Sequence, residues 1–276
     1  MNRISIQGYR GSYHYIVARE KFPGDLVLLE RSAFYEVFED VKSDLADFGI
    51  IAIENSIGGS ILENFDHLTQ YDLKIVGEVY LRIAHNLIVL PGVKMKDVKE
   101  VYTHPVAIAQ CLDFLQKYPT IRRIETDDTA GSVKMIREKG LGNAAAIAGS
   151  LAAEIYEMEI LARNVETDKN NYTRFLIIAR DTKYSEKANK TSLVIQAAHR
   201  PGSLYKCLKC FADEGLNLSK IESRPIIGKT WNYYFYLDFE AAWNASETKR
   251  ALQELGKAAV MVKILGSYKR GRVIEK

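Results

Sequence analysis

The chain has 276 residues, 47% hydrophobic and 26% charged, the composition of a soluble globular protein of about two domains that can bury a sizeable core. A net charge of +3 without a Lys/Arg block argues against nucleic acid as a partner, and Lys269-Arg270-Gly271-Arg272 reads as a solvated tail. No apolar run approaches the ~20 residues of a membrane span, and residues 1–7 lack the layout of a secretory signal, so no membrane partner and a cytoplasmic location are expected.

The first 180 residues alternate short apolar runs with helical patterns. Strands are predicted at Ile4–Ile6, Leu26–Leu29 and Phe48–Ile53, with helices at Ser12–Lys21 and Ala33–Lys42 between them. This alternation implies βαβ units and a largely parallel sheet. After a helix over Ser60–Gln70, the apolar stretches Lys74–Val79 and His85–Leu90 are long enough to carry the chain into a second lobe. That lobe takes the helix Val106–Lys117, the strand Arg122–Glu125, the helix Thr129–Lys139 and the strand Ala144–Ile147. The chain is expected to return near Asn164 and close the module with the strand Phe175–Arg180. Two lobes crossed twice imply a cleft for a small ligand.

Residues 181–190 are polar and read as a linker. Residues 191–276 have another rhythm: strand Thr191–Ala197, helix Leu204–Glu214, strands Leu216–Ser223 and Trp231–Glu240, helix Ala245–Gly256, strand Val260–Ser267. The order βαββαβ is the ferredoxin-like split unit. Cys207 and Cys210 form a C-x-x-C, but Leu204, Cys207, Leu208 and Phe211 fall at i, i+3, i+4 and i+7, an apolar helix face, and no second ligand pair stands at zinc spacing. Core packing is the expectation, with no metal.

The chemistry concentrates in a few clusters. Asn171-Tyr172-Thr173-Arg174-Phe175 places a hydroxyl, a guanidinium and an aromatic just before the apolar run Leu176–Ala179. A guanidinium fork fits a carboxylate best, from the protein or from a substrate. Gly8-Tyr9-Arg10-Gly11-Ser12 follows the first strand and opens the first helix, where backbone N–H groups can face an anion. Glu54-Asn55-Ser56-Ile57-Gly58-Gly59-Ser60 follows the third strand. Thr103-His104-Pro105 with Gln110 opens the second lobe's first helix, and Thr126-Asp127-Asp128-Thr129 is a capping sequence.

Together these pieces resemble the prephenate dehydratase family with a C-terminal ACT regulatory domain. The resemblance is carried by Gly8-x-x-Gly11-Ser12-Tyr13, Ile53-Glu54-Asn55-Ser56 with Gly58, and His85-Asn86-Leu87. It continues through Thr103-His104-Pro105 with Gln110-Cys111, Ala144–Ala148, Asn171–Phe175 and the segment Gly215–Pro225. It implies a catalytic module over 1–180 shaped like a type II periplasmic binding protein, a linker over 181–190 and an ACT domain over 191–276. The implied reaction is the decarboxylating dehydration of prephenate to phenylpyruvate in phenylalanine biosynthesis, with no cofactor. It carries over Thr173 as the key hydroxyl, Arg174 as the carboxylate clamp and Phe175 as a ring wall. Glu54, whose pKa burial and bound anions could raise, is the candidate proton source. Ser12, Asn55, Ser56, Thr103 and Gln110 are the neutral substrate partners.

In the ACT segment, Pro201, Gly202, Ser203 and Leu204 at a helix start, with Asn217, Leu218, Glu222, Ser223, Arg224 and Pro225 on a neighbouring strand, are the expected phenylalanine site. In this family the two segments meet across a dimer contact, which implies a homodimer or homotetramer under feedback control. Three positions depart from the family's usual pattern: Ala52 for proline, His14 for a hydroxyl residue, and Asp127 for a longer polar side chain. The alternatives are an arogenate dehydratase or a non-catalytic amino-acid-sensing binding protein. The catalytic pattern begins within the first ten residues, so no fused chorismate mutase is expected.

Overall fold

The computed structural model describes residues 1–180 and 185–275, so residues 181–184 of the expected linker lie outside the described residues. Along the chain the first elements are β1 (Asn2–Gln7), α1 (Tyr13–Lys21), β2 (Leu26–Arg31), α2 (Phe34–Lys42), β3 (Phe48–Asn55), β4 (Gly59–Ser60) and α3 (Leu62–Gln70). Next come β5 (Lys74–Arg82), β6 (Asn86–Val89), β7 (Glu100–Thr103), α4 (Pro105–Gln110), α5 (Leu112–Gln116), β8 (Arg122–Glu125) and α6 (Thr129–Lys139). The module ends with β9 (Ala144–Ala148), α7 (Ser150–Ile155), β10 (Glu159–Ala162) and β11 (Tyr172–Ala179). The remainder forms β12 (Lys190–Gln196), α8 (Ser203–Asp213), β13 (Leu218–Pro225), β14 (Tyr233–Phe239), α9 (Ser246–Ala258), β15 (Met261–Tyr268) and β16 (Val273–Ile274).

Two compact units form: one of Met1–Ile61, Val79–Phe175 and the C-terminal piece from Val273, the other of Leu62–Glu78 and Leu176–Arg272. In the first unit, one sheet runs β16-β5-β11-β3-β1-β2 with β4 on β3, and a second runs β10-β6-β9-β7-β8. β1 pairs in parallel with β2 and β3, and β7 with β8 and β9, as the βαβ pattern requires. The ends of β3 and β11, which lie side by side, carry the site.

Ile4, Ile6, Ile50, Ala52 and Phe175 pack in one core with Tyr15, Ile16, Val17 and Ala18 of α1. Because strand side chains alternate, α1 therefore covers the face bearing Ala52 and Phe175. The second lobe has a core on each side of its sheet, around Leu87, Val101 and Ile147 and around Ile88, Val133 and Ala146.

The Gly8–Ser12 loop is not the open anion cradle the sequence suggested. A Cβ at Gly8 would come within 2.6 Å of Asp128 Oδ2, one at Gly11 within 2.8 Å of the Ala152 Cα, and one at Gly131 within 2.8 Å of the Tyr9 ring. These glycines let the two lobes meet backbone to side chain. Asp128 caps α6 through the Gly131 N–H, and burial pushes its carboxyl up to about 6 against backbone N–H groups that pull it down, Gly131 first and Tyr9 among them.

Other elements also differ from expectation. The helix predicted over Val106–Lys117 breaks at Cys111, since the Gln110 carbonyl accepts the Thr167 N–H and leaves the helical ladder. β10 and β16 were not predicted, being too short for a periodic signal. The basic side chains of Lys269–Arg272 are exposed as expected, but the main chain there is docked: Arg270 N donates to Asn189 Oδ1 and Gly271 N to Glu78 Oε1, and the following Val273–Ile274 pair with Tyr80–Leu81.

In the second unit, β12-α8-β13-β14-α9-β15 makes an antiparallel sheet ordered β13-β14-β12-β15, the ferredoxin-like arrangement expected. Cys207 is in its core beside Phe211 and Cys210 Sγ meets the Lys206 carbonyl, so both serve helix packing. Helix α3 is fixed by Arg224 to Asp66 and by the Tyr236 ring 5.0 Å from Phe65. A buried charged cluster ties strands together: Lys190 Nζ lies 2.9 Å from Glu78 Oε2 and 3.8 Å from Asp238 Oδ2. Ser192 donates to Asp238 and meets the Tyr268 hydroxyl.

Candidate active site

Where the chain turns out of β3, Asn55 Oδ1 accepts the backbone N–H of Ile57 at 3.0 Å and of Gly58 at 2.7 Å. Asparagine favours this local turn because its short amide reaches its own downstream backbone. Two N–H donors leave no doubt which end of the amide is oxygen. The Asn55 nitrogen must then face β11, where it lies 2.7 Å from Asn171 Oδ1, 3.2 Å from the Tyr172 carbonyl and 2.9 Å from Thr173 Oγ1.

The polarity propagates. Asn171 Nδ2 donates to Gln110 Oε1 at 2.9 Å, and Gln110 Nε2 returns to Asn55 Oδ1 at 3.1 Å. Gln110 Oε1 is also 2.9 Å from His85 Nε2, which must therefore carry a proton. Burial lowers the His85 pKa, first against a raising contact from Gln110, so the ring is neutral and Nδ1 is its bare nitrogen. Tyr13 Oη stands 3.0 Å from that atom and 3.0 Å from the Ala84 carbonyl. Glu166, itself buried, holds the strand entry by accepting the His85 N–H, with Arg82 at 3.4 Å.

The hydroxyl at the end of this network keeps a proton to give. Thr173 Oγ1 accepts from Asn55, and among the described residues no acceptor takes its own proton. Thr173 as a whole is 8% exposed.

The expected trio Thr173-Arg174-Phe175 does not stand side by side. The strand starts at Tyr172, not at Phe175, so alternation sends Thr173 and Phe175 to the α1 face and Arg174 to the other. Arg174 is buried there, and it is engaged. Glu54 is a strand residue paired with Ser60, not a loop residue, and shares the α1 face with Ala52. Thr103 spends its hydroxyl on the Ile147 carbonyl, and Ser56 spends its own on Asn170 O and the Tyr172 N–H. Ser12 caps α1 through the Tyr15 N–H. His85, Tyr13 and Glu166 were not singled out as site residues. His85 and Tyr13 stood only in the motifs that carry the family resemblance, and Glu166 in none of them.

In the second unit, a cavity of about 480 Å³ opens at the start of α8, lined by Pro201, Gly202, Ser203 and Leu204 with Trp231 and Tyr233 among its other walls. Gly202 has φ 78° and Ser203 Oγ is buried with no partner among the described residues. Asn217, Leu218, Glu222, Ser223, Arg224 and Pro225 do not line this cavity: they lie on or beside β13, two strands from β12.

A sequence profile of prephenate dehydratase matches residues 4–183. Arogenate dehydratase/prephenate dehydratase 2 of Arabidopsis thaliana is 40% identical over 278 residues, covering 96% of this chain and 72% of that protein. A solved prephenate dehydratase from Arthrobacter aurescens, in complex with L-Phe, superposes with a TM-score of 0.88 at 29% identity, over 97% of this chain and 90% of that one. A structure described as a novel type of quorum-quenching acylase superposes equally well, TM-score 0.88 at 33% identity, over 97% and 98% of the two chains. The chain belongs to the prephenate dehydratase family.

Proposed function

We propose that this chain is a lyase that converts prephenate to phenylpyruvate, with the protein's own neutral donors as its chemical equipment. In that reaction the bond from the ring to its carboxylate breaks and releases carbon dioxide. Its electron pair enters the ring, which becomes aromatic, and the ring's C–O bond breaks toward oxygen. The departing hydroxide takes one proton and leaves as water. Aromatisation drives the step, so the protein's task is to hold a dianion and stabilise the expelled oxygen.

The observation that carries this reading is the Thr173 hydroxyl, which accepts from Asn55 and has no acceptor for its own proton among the described residues. A threonine hydroxyl is a poor acid, so it donates a hydrogen bond, while Glu54 or a water it holds supplies the proton. Asn55, Gln110 and Asn171 fix that donor; Phe175, 1% exposed in the core under α1, backs the site from within instead of walling the substrate ring; Ser12, Ser56 and Thr103 hold the loops around it. Arg174, the carboxylate clamp of the sequence reading, stands on the opposite face of β11 from Thr173. The test is to incubate the protein with prephenate and follow the ultraviolet absorbance of phenylpyruvate. An inert protein rejects the reading. The same assay with arogenate, read as phenylalanine formed, separates the two substrates. Glu54→Gln with an unchanged kcat would remove the glutamate from the proton path.

We further propose that residues 1–180 are the catalytic domain and 191–276 an ACT domain whose α8 cavity takes L-phenylalanine, with 181–190 as linker. The bare Ser203 hydroxyl and the N–H groups opening α8 suit a carboxylate, and Trp231 and Tyr233 suit an aromatic ring. Residues Glu222–Pro225 would complete the site only from a second copy, in a homodimer or homotetramer. Such coupling is typically worth ~1–3 kcal/mol and is reciprocal. Calorimetry with L-phenylalanine checks it, and no heat of binding removes it. Three unpaired cysteines suit a reducing cytoplasm.

A further inference from the structure

His14 and Ala52, two of the three departures from the family pattern, are bonded to each other. The Ala52 backbone N–H donates to His14 Nε2 at 3.2 Å. A backbone amide can only donate, so Nε2 carries the lone pair. The ring sits among apolar groups, with the Phe175 ring 5.0 Å away at 86° and the Phe34 ring 5.6 Å away. Burial pushes its pKa down to about 3, so near neutral pH the imidazole is uncharged and its one proton is on Nδ1.

That second nitrogen has no partner among the described residues, and it is not among the polar atoms sealed from solvent without one. Its position follows from strand geometry. Ala52 is two residues from Glu54 on β3, and Phe175 is two residues from Thr173 on β11, all on the face covered by α1. Two residues of strand span roughly 6.6 Å. His14 thus stands over the β3–β11 pair, one side-chain row behind Glu54 and Thr173.

We propose that His14 is a substrate-contacting residue of the Thr173 site, its Nδ1–H donating to an acceptor oxygen of the anionic substrate while the Ala52 N–H holds the ring in that tautomer. This rests on the reading of the site given above. The donor is neutral, so it adds direction without a charge for the dianion to pair with. It does the work of the hydroxyl usual at this position from a longer side chain.

Two amide variants separate contact from packing. In His14→Asn the amide nitrogen can occupy the place of Nδ1; in His14→Gln the amide oxygen can occupy the place of Nε2 and keep the Ala52 bond. The expectation is that His14→Gln raises KM for prephenate about ten-fold with little change in kcat, as loss of a bond to a charged acceptor would, while His14→Asn stays within a few-fold of the parent. The reverse order, with Gln retaining the parent KM and Asn losing it, would make His14 a packing residue and overturn the proposal. The parent protein gives a second measure independent of any variant. Its ¹⁵N spectrum should show His14 with a protonated Nδ1 and a bare Nε2, and the Nδ1 signal should move on adding phenylpyruvate. A ring protonated on Nε2, or an Nδ1 signal indifferent to phenylpyruvate, also overturns it. A parent protein inert toward prephenate rejects the reading of the site itself, and this inference with it. An active parent with either contrary result rejects the inference alone.

Discussion

Around Asn55 the linked side chains are amides, an imidazole and hydroxyls, whereas around Lys190 they are a cation and two carboxylates. Both clusters are buried, yet they do different work. In the charged one, Lys190 pairs with Glu78 and Ser192, itself met by the Tyr268 hydroxyl, donates to Asp238, so what remains is a tie between strands. The neutral cluster is a chain of donors and acceptors whose direction is set at one end by two backbone N–H groups. It ends in a hydroxyl whose proton is unspent. Neutral links can place a directional donor beside an anion without a competing counter-charge.

The largest expected effect is on the charged cluster. Lys190→Met strands Glu78, a buried carboxylate, and should cost ~3–5 kcal/mol of unfolding free energy. Denaturant unfolding measures it, and a loss under ~1 kcal/mol would mean that the cluster is wetter than its geometry says. Thr173→Ala should leave stability nearly intact and lower kcat by about 10²–10³-fold, as removal of one preorganised donor does. Thr173→Ser should keep most of the rate. A stable Thr173→Ala with full turnover would place the chemistry elsewhere.

Asn55→Asp is subtler. The oxygen facing Ile57 and Gly58 survives, but an acceptor replaces the donor aimed at Thr173, whose proton would then turn inward. Its kcat should approach that of Thr173→Ala, falling about 10²-fold, and parent-like kinetics would show that the direction of the network is irrelevant.

The remaining effect is in acid and is spread over several pH units. Unfolded His14 binds a proton below its ordinary 6.5, but the folded ring binds one only near 3, so between these values the unfolded state holds the extra proton. Stability therefore falls as pH falls through that window. His14→Phe should flatten the slope by one proton, roughly 1.4 kcal/mol per pH unit. Equal slopes in parent and variant, measured by urea unfolding from pH 6 downward, would contradict the buried neutral ring.

Much of this architecture was legible in the sequence, because period-2 and period-3.6 apolar patterns are strong in β1, β3, α6 and the βαββαβ segment. What escaped had specific causes. Residues 171–175 mix polar and apolar types, so the start of β11 was hidden, and with it the alternation that separates Arg174 from Thr173. Polar side chains at strand ends look alike in sequence whether they face a ligand or one another. Thr103 and Ser56 proved to face the backbone, while His85 and Tyr13 joined the network from distant segments. The Gly8 and Gly11 positions suggested an anion, but what they admit is the other lobe.

That glycine seam has a consequence for how the catalytic module tolerates change. Where one lobe presents bare main chain and its neighbour fits against it, there is no rotamer to adjust, and a single methyl group at position 11 would act as a wedge. Sequence drift there should be tightly restrained, although none of these atoms belongs to the Thr173 network.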